Sequence, residues 1–343
     1  MKASIVVPTF NQGPFIQDCL VSIQNQTYRD FEVIIQDSLS TDQTEQVCRT
    51  FVEGDSRFHY FREKDGGQSD ALNRGLARSV GPIWTWICSD DCYADNRALE
   101  KLLIPFAKTM GSDNQVMGVY GDAQYVSEDG NILGPYQNQT QNLKREDFKL
   151  NWPLAQPSLL LLREVVREAG GVDPSLYLGM DLDLFLKILK ENRYFLYVAQ
   201  MVVSIRLQPN SKSVRLQSRT AKNALQIVKK HFGEIGAPNE SAYAREYGRS
   251  KRHEVTHALQ ELFSKMIPFR KGFQAKFLLL EEKATLYTKS SYQKRDADFY
   301  LVRSAWWICG FVRFNLFMRV KRAINYSLEM TFRAKNLLLK WKN

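Results

Sequence analysis

The sequence predicts an α/β protein built around a mostly parallel, doubly wound β-sheet. Short β-branched runs alternate with segments of helical periodicity between residues 4 and 93, a pattern typical of parallel strands joined by crossover helices. A polar loop follows each predicted strand. Because the carboxyl ends of parallel strands meet at one edge of the sheet, these loops are expected to form a single ligand site.

Four strands and three helices are predicted in this region. Each strand is a short apolar run, and each helix repeats its apolar residues with helical period. The strands are Ser4–Pro8, Phe31–Gln36, Phe58–Phe61 and Trp84–Cys88, and the helices run from Phe15 to Gln26, up to about Val52, and from about Gln68 to Arg78. With 343 residues, 44% of them apolar and 24% charged, the chain can form one large domain and an appendage.

Two adjacent carboxylates, Asp90 and Asp91, follow the fourth predicted strand. At the edge of such a sheet they suit a hard divalent cation, Mg²⁺ or Mn²⁺, that also holds phosphate oxygens. Taken alone, the pair could equally be a solvated turn and helix cap. Neither a Gly-x-Gly-x-x-Gly motif after the first strand nor a Gly-x-x-x-x-Gly-Lys-Ser/Thr loop is present, which disfavours dinucleotide dehydrogenases and P-loop proteins.

Several motifs occur in order along the chain. They are Ser4–Asn11 (SIVVPTFN), Asp37–Thr44, Glu63–Gly67 with Asp70–Gly75, Ser89–Asp91, Gly121–Asp122, Gln156–Ser158 and Gly179–Leu184. Together they resemble the family 2 glycosyltransferases, which are inverting, nucleotide-sugar-dependent enzymes of the GT-A fold. The resemblance covers about residues 3–213 and implies a catalytic domain over residues 1–214.

The resemblance also implies roles for individual residues. The nucleotide-sugar donor would contact Pro8, Thr9, Asn11, Asp37, Asp65, Asn73, Arg74 and Asp90, with Asp91 as ligand of Mg²⁺ or Mn²⁺ and with Gln156 and Ser158 beside the acceptor. The acceptor would be a sugar or a lipid-linked molecule in polysaccharide or glycolipid assembly. From the residues alone, Asp37 could also be a helix cap, and Asn73 and Arg74 an ordinary helix surface.

Inverting transfer requires one carboxylate that takes the proton of the acceptor hydroxyl, and Asp181 and Asp183 are both candidates. Two positions apart on a helix, their side chains point roughly 160° apart, so only one can face the site. The resemblance favours Asp181, and Asp183 is expected to interact with the helix dipole in the first turn. Relatives often read Arg-x-His near the end of this domain. Because Arg206-Leu-Gln208 stands here, the third metal ligand is left open.

From residue 215 onward the chain becomes basic and rich in aromatic residues. Residues 251–343 contain 19 Lys and Arg against 7 Asp and Glu. No uncharged run in the aromatic stretch Phe299–Val320 approaches the roughly twenty residues of a membrane span. We therefore predict a helical extension, residues 215–343, that either binds an anionic membrane surface or packs as a bundle or homo-oligomer contact. No nucleic-acid partner is expected.

The first residues and the cysteines favour a cytoplasmic location, at the membrane periphery if the extension binds lipid. Met1–Pro8 is too short an apolar run for a signal peptide and leads directly into a turn. The five cysteines show neither a paired zinc spacing nor a disulfide framework, and reduced thiols fit a reducing compartment.

Two alternatives come from other function classes. His253, Glu254 and His257 match the pattern of zinc peptidases, in which two histidines bind the metal and the glutamate is the base. On a helix these histidines lie nearly opposite the apolar stripe, so they would face solvent rather than a walled cleft. The second alternative is an inactive scaffold that binds nucleotide sugars, against which the presence of Asp91 and Asp181 argues.

Overall fold

The computed structural model describes residues 1–136, 139–149, 152–208, 211–212 and 217–233. Its first part alternates strands and helices as the sequence predicts. The elements are β1 (Ala3–Thr9), α1 (Ile16–Gln24), β2 (Phe31–Asp37), α2 (Thr44–Gly54), β3 (Phe58–Arg62), α3 (Gln68–Arg78) and β4 (Ile83–Trp86).

The following part is less regular, with short strands between longer elements. It contains β5 (Cys92–Tyr93), α4 (Ala98–Met110), β6 (Val116–Val126), β7 (Ile132–Pro135), β8 (Leu143–Lys144), β9 (Leu159–Leu162), α5 (Arg163–Glu168), α6 (Met180–Ile188), β10 (Tyr194–Arg206) and α7 (Gln217–Phe232). Two short 3₁₀ segments, Arg145–Lys149 and Gln156–Ser158, lie before β9.

These strands join one sheet in the order β3-β2-β1-β4-β9-β6-β10-β5, with β7 beside β6 and β8 beside β10. Neighbours β3, β2, β1 and β4 are parallel, as are β6 and β10, while β9 runs antiparallel between β4 and β6. β1, β2, β3, β4, β6 and β10 therefore share one direction, and the predicted mostly parallel α/β sheet is confirmed. Their carboxyl ends form the edge at which such sheets bind ligands.

Both faces of the sheet are covered, which explains the unbroken apolar runs of its inner strands. β1 is buried along its whole length, with Val6 in the hydrophobic cluster on one face and Ile5 and Val7 in the cluster on the other. A Cβ added at Gly75 would come within 2.4 Å of Val6 Cγ1. The absence of a side chain at position 75 therefore lets α3 pack directly onto β1.

Helix α7 packs onto this domain through an apolar face. Ala224, Ile227 and Val228 are buried and belong to the same hydrophobic cluster as Phe185 of α6. The beginning of the predicted extension thus contributes to the domain core. Residues 234–343 lie outside the described residues, so the boundary at residue 214 and the role of the extension stay predictions. In the part of the chain that the structure describes, no helix is long and apolar enough to cross a membrane.

Candidate active site

The loops after β1 and β2 are tied together by Asn11. Its backbone N–H donates to Ser40 Oγ at 2.8 Å, and its Oδ1 accepts from the backbone N–H of Thr41 at 2.9 Å. Asn11 has φ 51°, a left-handed conformation that asparagine adopts more readily than most residues. Pro8 and Thr9 end β1 just before it. The structure thus places these three predicted donor residues at the sheet edge, where Asn11 also orders the neighbouring loop.

Asp37 ends β2 and is fully buried. Its Oδ1 accepts from the backbone N–H of Ser40 at 3.0 Å and from the Ser40 hydroxyl at 2.5 Å, while its Oδ2 accepts from the Tyr60 hydroxyl at 2.6 Å. Arg62 Nε lies 3.8 Å from Oδ2. Asp37 therefore stabilises the loop after β2 from the interior of the protein, and its side chain is not exposed at the surface. Direct contact between this carboxylate and a nucleotide base stays a prediction.

Asp65 orders the loop before α3. Its Oδ1 accepts from Ser38 Oγ at 2.8 Å and from the backbone N–H of Gly67 at 2.8 Å. Gly67 has φ 110°, which a residue with a side chain rarely adopts. The loops after β2 and β3 are therefore joined at the same edge as the loop after β1.

The two predicted donor contacts on α3, Asn73 and Arg74, have different partners within the protein. Asn73 donates from Nδ2 to Val172 O at 2.7 Å and accepts at Oδ1 from the Val172 N–H at 2.9 Å. Its amide therefore holds the segment before α6. Contact between Asn73 and the donor stays a prediction. Arg74 is half-buried and pairs with Asp70 at 3.0 Å and with Glu63 at 3.3 Å.

The predicted metal pair, Asp90 and Asp91, follows β4 at the centre of the edge. Asp91 is 7% exposed, and its Oδ1 accepts from the backbone N–H of Arg206 at 3.0 Å. Burial raises the pKa of Asp91 well above its usual range, repulsion from Asp90 adds to this, and Arg206 opposes it. Cys88 Sγ and one oxygen of each carboxylate lie within 4.8 Å of one another. Among the described residues, they form one group of potential metal ligands.

This group fits a hard divalent cation. Carboxylate oxygens are the ligands that Mg²⁺ and Mn²⁺ prefer, and a cation would compensate the buried charge of Asp91. Gln208, at the position where relatives often carry histidine, is 3% exposed and donates from Nε2 to Asp90 Oδ2 at 3.1 Å. The Gln208 side chain therefore lies beside the carboxylate pair. An amide oxygen is also a ligand for divalent cations of this kind.

Arg206, the arginine of the Arg206-Leu-Gln208 stretch, has contacts in the site that the sequence analysis did not predict. It is 5% exposed and donates from Nε to Asp90 O at 3.0 Å, from one terminal nitrogen to Asp18 Oδ2 at 2.8 Å, and from the other to Glu128 O. These partners lie 78 to 188 positions away in the chain, so no local motif indicates them. Arg206 holds the loop that carries the carboxylate pair against α1 and the β6–β7 turn.

The predicted base, Asp181, lies in the first turn of α6. Gly179, with φ 78°, adopts the left-handed conformation from which this helix begins. Burial raises the pKa of Asp181 to about 6, although hydrogen bonds from the backbone of Leu182 and from Trp152 act to lower it. A carboxyl group with this pKa can accept a proton at neutral pH more readily than an ordinary aspartate.

Asp183 has a different set of partners. It is fully buried, and Lys187 Nζ lies 2.8 Å from Oδ2, while Lys230 Nζ at 3.0 Å and His231 Nε2 at 2.8 Å contact Oδ1. Burial acts to raise the pKa of Asp183, but these three groups hold it well below its usual range. Asp183 is expected from the sequence to interact with the dipole of α6. In addition to lying in the first turn of this helix, it joins α6 to α7.

The predicted acceptor-side residues lie in the turn before β9. Gln156 donates from Nε2 to Trp86 O at 2.9 Å, which fixes this turn to the end of β4. Ser158 is fully buried, and its hydroxyl donates to Ala155 O at 2.7 Å. Gln156 is only partly buried. Contact of Gln156 and Ser158 with an acceptor stays a prediction. The predicted peptidase residues His253, Glu254 and His257 lie outside the described residues.

Comparison with known proteins identifies this domain. Residues 4–167 match the model of glycosyl transferase family 2. This part of the chain belongs to that family. The chain is 25% identical over 210 residues to the GalNAc(5)-diNAcBac-PP-undecaprenol β-1,3-glucosyltransferase of Campylobacter jejuni, covering 60% of this chain and 65% of that protein. It spans smaller shares of other curated relatives, down to 13% of their length.

Solved structures share the fold. TarS residues 1–349 of S. aureus, in complex with UDP-GlcNAc, superpose with a TM-score of 0.52 at 16% identity, covering 73% of this chain and 80% of that one. The mannosyltransferase PcManGT of Pyrobaculum calidifontis, in complex with GDP-Man and Mn²⁺, gives a TM-score of 0.53 at 18% identity, covering 91% and 86%. The family 2 domain therefore has the GT-A fold that the sequence predicts.

Proposed function

We propose that this family 2 domain transfers a sugar from a nucleotide-sugar donor to an acceptor hydroxyl group, with inversion at the anomeric carbon. The observation that carries the proposal is the buried Asp91 beside Asp90 at the carboxyl end of β4. Two carboxylates so close together, one of them buried, are unfavourable unless a cation compensates their charge. A ligand that brings or requires such a cation is therefore expected at this edge.

The donor would lie across the loops that follow β1, β2, β3 and β4. Asp91, with Asp90, would hold Mg²⁺ or Mn²⁺, and when bound this cation would neutralise charge on the donor diphosphate. The UDP-GlcNAc bound to TarS, and the GDP-Man and Mn²⁺ bound to PcManGT, support a nucleotide-sugar donor. Arg74 and the loop ordered by Asp37 and Asp65 would complete the donor site.

Asp181 would act as the general base. Its carboxylate takes the proton of the acceptor hydroxyl, and the hydroxyl oxygen forms a bond to the anomeric carbon. The bond between that carbon and the diphosphate breaks, and its electron pair stays on the diphosphate oxygen. Attack from the face opposite the leaving group inverts the configuration. Asp183 does not fit this role, because three cationic or potentially cationic groups occupy its carboxylate.

The acceptor would be a sugar or lipid-linked glycan in polysaccharide or glycolipid assembly. The name of the Campylobacter relative, which includes an undecaprenol-linked acceptor, supports this class. Gln156 lies at the carboxyl end of β4, where it would contact the acceptor. The basic extension would bring the enzyme to the cytoplasmic face of a membrane.

The test is turnover of a panel of UDP, GDP, CDP and dTDP sugars by the full chain with Mn²⁺ or Mg²⁺. We expect nucleoside diphosphate release from at least one donor, lost in EDTA and in Asp91→Asn. The control is Asp129→Asn, which changes an exposed carboxylate in the β6–β7 turn. Donor binding without any release would instead indicate an inactive scaffold. Release that survives both EDTA and Asp91→Asn would contradict the metal assignment.

A further inference from the structure

Lys212 lies beside the donor edge, and its partners among the described residues are uncharged. Its Nζ donates to Gln68 Oε1 at 2.9 Å and lies 4.4 Å from the centre of the Tyr177 ring. Within the described ranges of the chain, no carboxylate approaches Nζ to salt-bridge distance. The ammonium group thus contacts the amide oxygen of Gln68 and the aromatic ring of Tyr177.

These two neighbours connect Lys212 to both sides of the proposed site. Gln68 begins α3, and its Nε2 donates to Cys88 Sγ at 3.5 Å. Cys88 belongs to the group of potential metal ligands described above. Tyr177 stands four positions before Asp181 in the chain, in the segment that leads into α6. Lys212 therefore lies between the end of β4 and the start of α6.

The surroundings of Lys212 favour an incoming anion. Burial lowers the pKa of its ammonium group because the group loses water, and the nearby Cys88 thiol opposes this effect. Arg74, another cation near this edge, is already paired with both Asp70 and Glu63. An anion bound at the edge would therefore gain more from Lys212 than from Arg74, because no carboxylate of the described residues compensates the charge of Lys212.

We propose that Lys212 binds the diphosphate of the nucleotide donor, an assignment that rests on the function proposed above. The diphosphate is the anionic part of the donor, and it would lie near the cation held by Asp91. Its negative charge increases when the bond to the sugar breaks, since the electron pair of that bond stays on the diphosphate oxygen. Lys212 therefore binds the departing diphosphate more strongly than the intact donor and assists its departure.

The test compares nucleoside diphosphates with the corresponding monophosphates. Calorimetry with UDP, GDP, CDP and dTDP, and with UMP, GMP, CMP and dTMP, measures the affinities of the full chain in Mg²⁺ and in EDTA. The variants are Lys212→Met, which keeps the aliphatic contact with Tyr177, and Lys212→Arg, which keeps the charge. Lys108→Met removes an equal charge from an exposed position on α4 and is the matched control.

We expect Lys212→Met to weaken binding of the preferred diphosphate about tenfold or more, and binding of its monophosphate much less, because one charge-assisted contact is lost. Lys212→Arg should keep most of the affinity, and Lys108→Met all of it. Equal losses for diphosphate and monophosphate, or no loss, would overturn the assignment of Lys212 alone. A wild-type chain that binds none of these nucleotides would overturn the proposed function and this assignment together.

Discussion

Asp181 and Asp183 lie two positions apart in α6, and the fold gives their carboxyl groups opposite environments. Burial raises the pKa of Asp181 to about 6. Burial also acts on Asp183, but His231, Lys187 and Lys230 hold its pKa well below the usual range. At neutral pH Asp183 is a fixed anion within a salt-bridge cluster, whereas Asp181 can exchange a proton. Asp181 is therefore the better candidate for base catalysis, because its described contacts include no cationic partner.

The pH dependence of turnover tests this difference. Because the pKa of Asp181 is raised to about 6, its carboxyl group is protonated below that pH and cannot accept the acceptor proton. We expect kcat to rise as the pH increases and to level off above an apparent pKa of about 6. Asp181→Asn should lower kcat by about 10²-fold or more and leave the donor dissociation constant nearly unchanged. A wild-type pH profile that the substitution leaves intact would contradict the assignment of Asp181.

At the scale of elements, β10 and α7 hold the site although both follow residues 4–167, the part that matches the family model. Arg206, at the end of β10, donates through its backbone to Asp91 and through its side chain to the Asp90 carbonyl. Helix α7 contributes Lys230 and His231 to the Asp183 cluster on α6, the helix that also carries Asp181. The proposed metal pair and the helix of the proposed base are thus each fixed by an element that comes later in the chain.

Asp183→Asn should separate the structural role of this cluster from catalysis. The amide cannot neutralise Lys187 and Lys230, so we expect the free energy of unfolding to fall by about 2 kcal/mol or more. Asp181→Asn, the matched control on the same helix, should change stability much less because its carboxyl has no cationic partner among its described contacts. Denaturant unfolding of both variants provides the measurement. A larger loss of kcat in folded Asp183→Asn than in Asp181→Asn would reverse the assignment of the base.

At the scale of the whole molecule, the predicted extension contains two different parts. Its first part, α7, packs in the hydrophobic core, and its later part is rich in basic residues. The excess of basic residues is concentrated in residues 251–343, with 19 Lys and Arg against 7 Asp and Glu. The core, in contrast, includes Ala224, Ile227 and Val228 of α7. A truncation that removes only the basic region must therefore leave α7 in place if the domain is to keep its packing.

Two truncations distinguish membrane binding from packing. The chain ending at Gly233 keeps α7, so we expect it to bind nucleotide and to lose binding to anionic liposomes. The chain ending at Leu216 lacks α7 and should melt at lower temperature or aggregate, because the apolar surface beneath α7 becomes exposed. The full chain should bind anionic liposomes strongly at low salt and less at high salt, at about 1 kcal/mol per basic residue near the surface. Co-sedimentation with anionic and neutral vesicles provides the measurement, and a full chain that binds neither would exclude the membrane role.

The sequence by itself determined the alternation of strands and helices, the common edge and the carboxylate pair at the end of β4. These features depend on residues close together in the chain: apolar periodicity forms each element, and the polar residues directly after each strand form the loops. Asp90 and Asp91 could therefore be placed before any tertiary contact was known. Arg74 and Asp181 could also be placed, through the motifs that contain them.

Only the tertiary structure decided which polar groups are already engaged by the protein. Asn73 and Ser158 match the family motifs, yet Val172 and Ala155 occupy their hydrogen-bonding atoms. Whether a polar side chain is available to a ligand depends on partners brought to it by folding, and many of these lie tens of residues away. Lys212 gains its proposed role for the same reason, because the fold partly buries it beside the site and supplies no carboxylate to it from the described residues.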